Sequence, residues 1–276
     1  MPTLEVPGAV LSYKTVGSGP LLLLIPGADG RGSVFEEAAK FLAPHYTVVL
    51  WDRRGFSKSF LLGPQDFEHR LDTDADDANR LIQHLATPDQ AVVVFGTSSG
   101  AVVSQRLLCR HPDRITRLVA HEPPSFSVLP EQFRTQAASL LQHVYDTYRA
   151  QGVSAAMDAF TGGLSEGGDG AMMRSCMDSK RGDEIRANSL FWFEFELRQY
   201  PTSPLDLASI QAQSKKYVPA AGITSGDGPG VGPISLIANA TGKEIVRLPG
   251  GHLGYMTEPE VFANALVKEL TKSLAT

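Results

Sequence analysis

Six runs of five residues each, Leu21 to Ile25, Thr47 to Trp51, Ala91 to Phe95, Thr116 to Ala120, Tyr217 to Ala221 and Glu244 to Leu248, carry most of the strand signal in the chain. Several are apolar throughout, as strands covered on both faces are. Between them, apolar positions recur at helical spacing over Val34 to Leu42, Asp74 to Leu85, Ala101 to Cys109 and Glu258 to Ser273. Strand and helix alternating in this way predict an α/β fold built on a mostly parallel, doubly wound sheet.

The alternation stops between about Ser125 and Ala212. There the helix-forming segments EQFRTQAASLLQHVYDTYRAQG and GDEIRANSLFWFEFELRQ follow one another with no strand between them. The expected organisation is therefore a core of residues 1–124 and 213–276 with an inserted helical cap, residues 125–212. Within the cap, SEGGDG at 165–170 is too rich in glycine to be expected in a helix and reads as a mobile loop.

A length of 276 residues suits this single large domain. With 25 Lys and Arg against 30 Asp and Glu, the net charge is −5, and no basic cluster is present, so nucleic acid is not expected as a partner. The segment MPTLEVPGAVLSYK lacks the basic and apolar regions of a leader, and no apolar run reaches the roughly 18 residues of a membrane span. The expectation is a cytoplasmic protein without membrane contact. Cys109 and Cys176 lack the close spacing of a zinc or redox site and read as buried thiols. Whether the chain forms a homodimer is not readable from these features.

The chemistry concentrates in AVVVFGTSSGAV, residues 91–102, where an apolar run ends on Gly96-x-Ser98-x-Gly100 and a helix follows. A strand that breaks into a helix at such a pattern projects its middle residue above the sheet, which makes Ser98 the candidate nucleophile. The backbone N–H of Ser99, at the start of the helix, is then a candidate oxyanion donor. A serine hydroxyl needs a base, and the base an acid that orients it. Of seven histidines, His252 follows the last strand on a glycine-flanked loop in EIVRLPGGHLGYM and is the candidate base. His45, His69, His84, His111, His121 and His143 lack such flanks and read as surface or structural. Two acids lie between Ser98 and His252 in suitable loops: Glu122, in ITRLVAHEPP, and Asp227, in GITSGDGPG. Asp227, between glycines, also suits a simple turn.

On these motifs the chain resembles the α/β-hydrolase fold superfamily over nearly its full length, with the chain order serine, acid, histidine. LLLLIPGADG is similar to the family's loop after its first parallel strand, and the resemblance implies the N–H of Ala28 as the second oxyanion donor. WDRRGFSKS resembles the family's Asp-x-Arg-Gly turn, which is structural in most members. Many relatives carry the acid after the penultimate strand, in a Gly-x-x-Asp pattern that would put Ser225 in its place here; Asp227 lies further on. The block FGTSSGAVVSQRLLCRHPDRITRLVAHEPP is similar to zearalenone lactonases, which place a catalytic Glu where Glu122 stands, 24 residues after Ser98. The resemblance favours Glu122, with Asp227 as the alternative.

Apolar cap residues not used in packing should line the space above Ser98, and Phe126, Met157, Phe160, Phe191, Trp192 and Phe195 are the candidates. Trp192, a large ring with one donor, is the foremost candidate for substrate contact. The expected activity is a cofactor-independent, metal-free serine hydrolase that cleaves a small apolar ester or lactone, such as a polyketide macrolactone, through an acyl-enzyme. The alternatives are cleavage of a carbon–carbon bond or lyase chemistry by the same triad, and a hydrolase-like protein that only binds its ligand.

Overall fold

The computed structural model describes residues 1–162, 168–226, 228 and 230–272. The described strands are β1 (Thr3–Val6), β2 (Ala9–Val16), β3 (Leu21–Ile25), β4 (Thr47–Trp51), β5 (Phe60–Leu61), β6 (Val92–Thr97), β7 (Arg117–His121), β8 (Tyr217–Gly222) and β9 (Val246–Leu248). They form one sheet in the order β1-β2-β4-β3-β6-β7-β8-β9, with β5 paired to β2. From β4 to β9 every pairing is parallel, whereas β1, β2 and β5 are antiparallel additions at one edge.

All-apolar strands need cover on both faces, and the side-chain alternation divides them cleanly. Leu22, Leu24, Val48, Leu50, Phe95 and Val119 face one layer, which contains α1 (Glu36–Leu42) and, at the chain's end, the long last helix Pro259–Thr271. Leu21, Leu23, Ile25, Val49, Val94 and Leu118 face the other layer, which contains α2 (Arg70–Leu85) and α3 (Ser99–Arg110). The expected doubly wound sheet is therefore present. The N-terminal β1–β2 hairpin and β5 were not anticipated, because their mixed, half-exposed residues carry little apolar signal.

Between β7 and β8 the chain runs through α4 (Glu131–Gln151), α5 (Val153–Thr161), α6 (Gly168–Cys176), α7 (Asp183–Phe195), α8 (Gln199–Thr202) and α9 (Leu207–Ala212). After β8 come α10 (Val231–Thr241), unanticipated, then α11 (Gly254–Thr257) and α12, the long last helix. The expectation of a loop over 165–170 is corrected in part: residues 165–167 lie outside the described residues, but Gly168 opens α6. The helical cost of its glycines is offset by the burial of Gly170, Met173 and Cys176.

A buried cluster of charges joins this helical segment to the sheet. Arg53, fully buried just beyond β4, pairs with both carboxylate oxygens of Glu196, at 2.8 and 2.7 Å, and with Asp74 at 2.6 Å. The same guanidinium donates to the carbonyls of Pro26 (3.1 Å) and Gly27 (2.8 Å) in the loop after β3. Arg70 adds two more bonds to Glu196, at 2.9 and 3.2 Å, and Tyr200 donates to Asp74 at 2.8 Å. Burial works against the charge of Arg53, but the carboxylates of Glu196 and Asp74 hold it protonated. Glu196→Leu leaves two buried guanidiniums sharing Asp74 alone, so it is expected to lower the unfolding free energy by about 3–5 kcal/mol in chemical denaturation. A loss near that of a surface pair, under about 1 kcal/mol, would show that this cluster does not join the layers.

Candidate active site

Ser98 is the single residue between the end of β6 and the start of α3, at φ 54° and ψ −129°. Such a conformation costs a non-glycine residue about 1–3 kcal/mol and persists only where its surroundings enforce it. The enforcement is visible in two glycines. A Cβ on Gly96 would lie 2.5 Å from the carbonyl oxygen of Gly100, and one on Gly100 would overlap the carbonyl of Ile25. Strand β3, strand β6 and helix α3 thus converge too closely for any side chain at either position.

Glu122 follows β7 and also has a positive φ, 49°. Its N–H continues the ladder to Ala220 at 3.0 Å, and its side chain then turns toward the exit of β8. There Oε1 accepts the N–H of Gly222 at 2.8 Å and Oε2 meets Nδ1 of His252 at 2.6 Å. Burial opposes ionisation of Glu122, yet its hydrogen bond to His252 and the charge that ring can carry hold it well below the usual carboxylate range. For His252, burial disfavours the charged ring; the bond to Glu122, the charge of Glu122 and that of Asp169 outweigh it and raise its pKa. With Nδ1 engaged by the carboxylate, Nε2 is the nitrogen left to exchange protons. No hydrogen bond joins Ser98 Oγ to His252 among the described residues, although both side chains border one cavity. Bonds of this kind are commonly long before a substrate is bound and tighten with it.

The cavity has a volume of about 440 Å³ and is lined by Ser98, Ser99, Ala28, Glu122 and His252 together with residues of the helical segment. Neither Ala28 nor Ser99 uses its N–H in a hydrogen bond among the described residues. Phe126, Phe160 and Trp192 line the cavity, with Phe160 edge-on to Trp192 at 5.3 Å. Met157, Phe195 and Phe191 do not. Met157 is buried in the core between helices. Phe195 stacks on Phe67 at 3.9 Å, and Phe191 packs edge-on to Phe56 at 5.1 Å and beneath the Arg70 guanidinium at 4.4 Å. In the alternating run FWFEFELRQY, the helical turn sends Trp192 and Glu196, four residues apart, to the cavity, and sends Phe191 and Phe195 to the opposite flank.

Asp227, the alternative acid, lies outside the described residues. Ser225 borders the cavity, as does Asp169, which the sequence reading missed inside SEGGDG. Glu196 was missed too, because Glu194 stands in the same aromatic run and only the fold brings Arg53 to one of the two. His121 is fully buried, with Nδ1 against Thr97 Oγ1 at 3.1 Å, and burial pushes its pKa down to about 4, so the ring is neutral. Among the described residues no group of three or more His, Cys, Asp or Glu side chains is arranged to hold a metal ion. No described helix is long and apolar enough to cross a membrane.

Comparison with known proteins agrees with this architecture. Residues 20–161 match the family model described as alpha/beta hydrolase fold. An uncharacterized hydrolase of Bacillus subtilis (strain 168), YraK, is 31% identical over 98% of this chain and 96% of its own. A zearalenone hydrolase of Bionectria ochroleuca is 26% identical, covering 99% of this chain and 98% of the relative. Among solved structures, a thermophilic esterase from Thermogutta terrifontis superposes with a TM-score of 0.72 at 19% identity, covering 99% of both chains. Sequence, topology and relatives thus agree, and the chain belongs to the α/β-hydrolase family.

Proposed function

We propose that the protein is a serine hydrolase that cleaves an apolar ester or lactone through an acyl-enzyme. The observation that carries this reading is the 2.6 Å contact between Glu122 and His252 Nδ1, beside the strained Ser98 in one cavity. In this reading His252 Nε2 takes the proton of Ser98 as Oγ attacks the carbonyl carbon. Glu122 fixes the ring and stabilises its cationic form. The N–H groups of Ala28 and Ser99 receive the oxyanion, and the dipole of α3 favours the same negative charge. His252 then protonates the departing alkoxide, and a water activated by the same nitrogen releases the acid.

The apolar walls of Phe126, Phe160 and Trp192 favour an uncharged, partly aromatic substrate, which the half-buried carboxylate of Asp169 on the same cavity would also favour over an anion. The zearalenone hydrolase relative supports a macrolactone as the first compound to try.

Three measurements test the reading. Incubation with a fluorophosphonate is expected to give one covalent adduct, mapped by mass spectrometry to Ser98 and absent from Ser98→Ala; a folded wild-type chain that stays unlabelled would overturn it. Turnover of an apolar ester or macrolactone should fall by at least about 10⁴-fold in Ser98→Ala and by about 10²–10⁴-fold in Glu122→Gln. The pH profile gives the third test. The base must be neutral, so kcat/KM falls as pH drops through the raised pKa of His252, on a limb above the ordinary histidine value of about 6.5. Glu122→Gln removes the main group that raises it, and the limb should move to lower pH while the plateau falls. An unmoved limb would mean that Glu122 does not act on the base.

A further inference from the structure

Asp169, in the first turn of α6, contributes both carboxylate oxygens to the loop that carries His252. Oδ2 accepts the backbone N–H of His252 at 2.7 Å, and Oδ1 accepts that of Leu253 at 3.1 Å. Two successive N–H groups converging on one carboxylate are charge-assisted bonds, stronger than those to water or a neutral acceptor. The loop is shaped for this partner. A Cβ on Gly251 would overlap Asp169 Oδ2, so only glycine admits the carboxylate there.

The tie meets a mechanical need. Pro249-Gly250-Gly251-His252 is a loop with two successive glycines, one of them at φ 76°, and such a backbone holds no single conformation unless something outside it does. Glu122 restrains only the Nδ1 end of the imidazole. A ring pinned at one nitrogen can still pivot, and displacement of Nε2 by about 1 Å is enough to cost 10²-fold in rate. Holding the backbone from the opposite side removes that freedom.

We propose that Asp169 is a positioning residue: it seats the histidine loop from the helical segment, so that the base is aligned only while the first turn of α6 rests on it. The proposal builds on the serine-hydrolase reading above. It assigns Asp169 no contact with the reacting atoms and makes alignment of the base depend on the position of α6. The charge of Asp169 also bears on the base. Among the described residues, the ionisable groups facing His252 are Glu122 from the end of β7, Asp169 from α6 and the neutral His121, whose ring centre is 6.3 Å away. Removing one of the two anions should lower the pKa of His252.

The test is the rate at which a fluorophosphonate labels Ser98, followed across pH in wild type, Asp169→Ala and Asp169→Asn, with circular dichroism and Tm recorded for each. Asp169→Ala is expected to slow labelling by about 10- to 100-fold and to move the acid limb to lower pH. Asp169→Asn keeps the shape and one acceptor oxygen; its rate should fall between the two, while its limb moves as in the alanine variant because the charge is gone. Should Asp169→Ala fail to fold, the isosteric variant carries the same comparison. Labelling at the wild-type rate with an unmoved limb, or a lowered Tm with neither change, overturns the proposal and leaves the serine-hydrolase reading standing. A wild-type chain that does not label at Ser98 overturns both.

Discussion

Arg53 carries a positive charge where no solvent reaches it, and the groups that neutralise it come from elements far apart in the chain. Asp74 belongs to the sheet's own helical layer, Glu196 to the segment inserted between β7 and β8, and the carbonyls of Pro26 and Gly27 to the loop beside the nucleophile. A buried ion pair adds little net stability over an apolar replacement, but removing one partner is costly because the other remains buried. The cluster therefore acts as a constraint on geometry. It holds the carbonyls of residues 26 and 27 toward Arg53, while Ala28 borders the cavity, and it sets the inserted helices against the sheet by way of Glu196. The cavity wall and the candidate oxyanion donor are thus tied to one guanidinium.

The same economy of position appears in the strained residues. Of the described non-glycine residues with positive φ, Ser98 and Glu122 both sit at the C-terminal ends of adjacent parallel strands. Parallel registry delivers both chain ends to one edge of the sheet, where α/β folds gather their ligands. The strain turns each side chain away from the strand direction: Ser98 into the cavity and Glu122 sideways to the exit of β8. Sheet pairing on both flanks of β6 and β7 is what supports that cost.

How much of this was legible follows from where the signal resides. The central strands declare themselves because they are buried on both faces; β1 and β2, at the edge, face solvent in part and do not. Ser98 and His252 stand out because glycines frame them, and the glycines are there for reasons of close approach that leave a local trace. Glu122 has no such frame, and only resemblance singled it out against Asp227. Asp169 and Glu196 could not be read at all as partners, since their roles are defined by groups 83 and 143 positions away. Phe191 and Phe195 were misread for a related reason. Composition says that a helix is aromatic, but which flank faces the cavity depends on how the helix is rotated against Arg70 and Phe67. Gly168 to Gly170, scored as helix breakers, are helical because tertiary burial outweighs propensity.

The arrangement of acids around His252 has its own electrostatic logic. Ser225, which occupies the position where many relatives carry their acid, borders the same cavity as Glu122. A carboxylate there, beside a buried and ionised Glu122, would place two like charges against one imidazole, and one of them would be forced to take up a proton. With a serine at 225, Glu122 is the carboxylate that meets the ring among the described residues. Asp169 brings a second negative charge near the histidine without that conflict, because it directs both oxygens to backbone N–H groups instead of to the imidazole. The two carboxylates divide the work by what they touch: one fixes the ring, the other the chain that bears it.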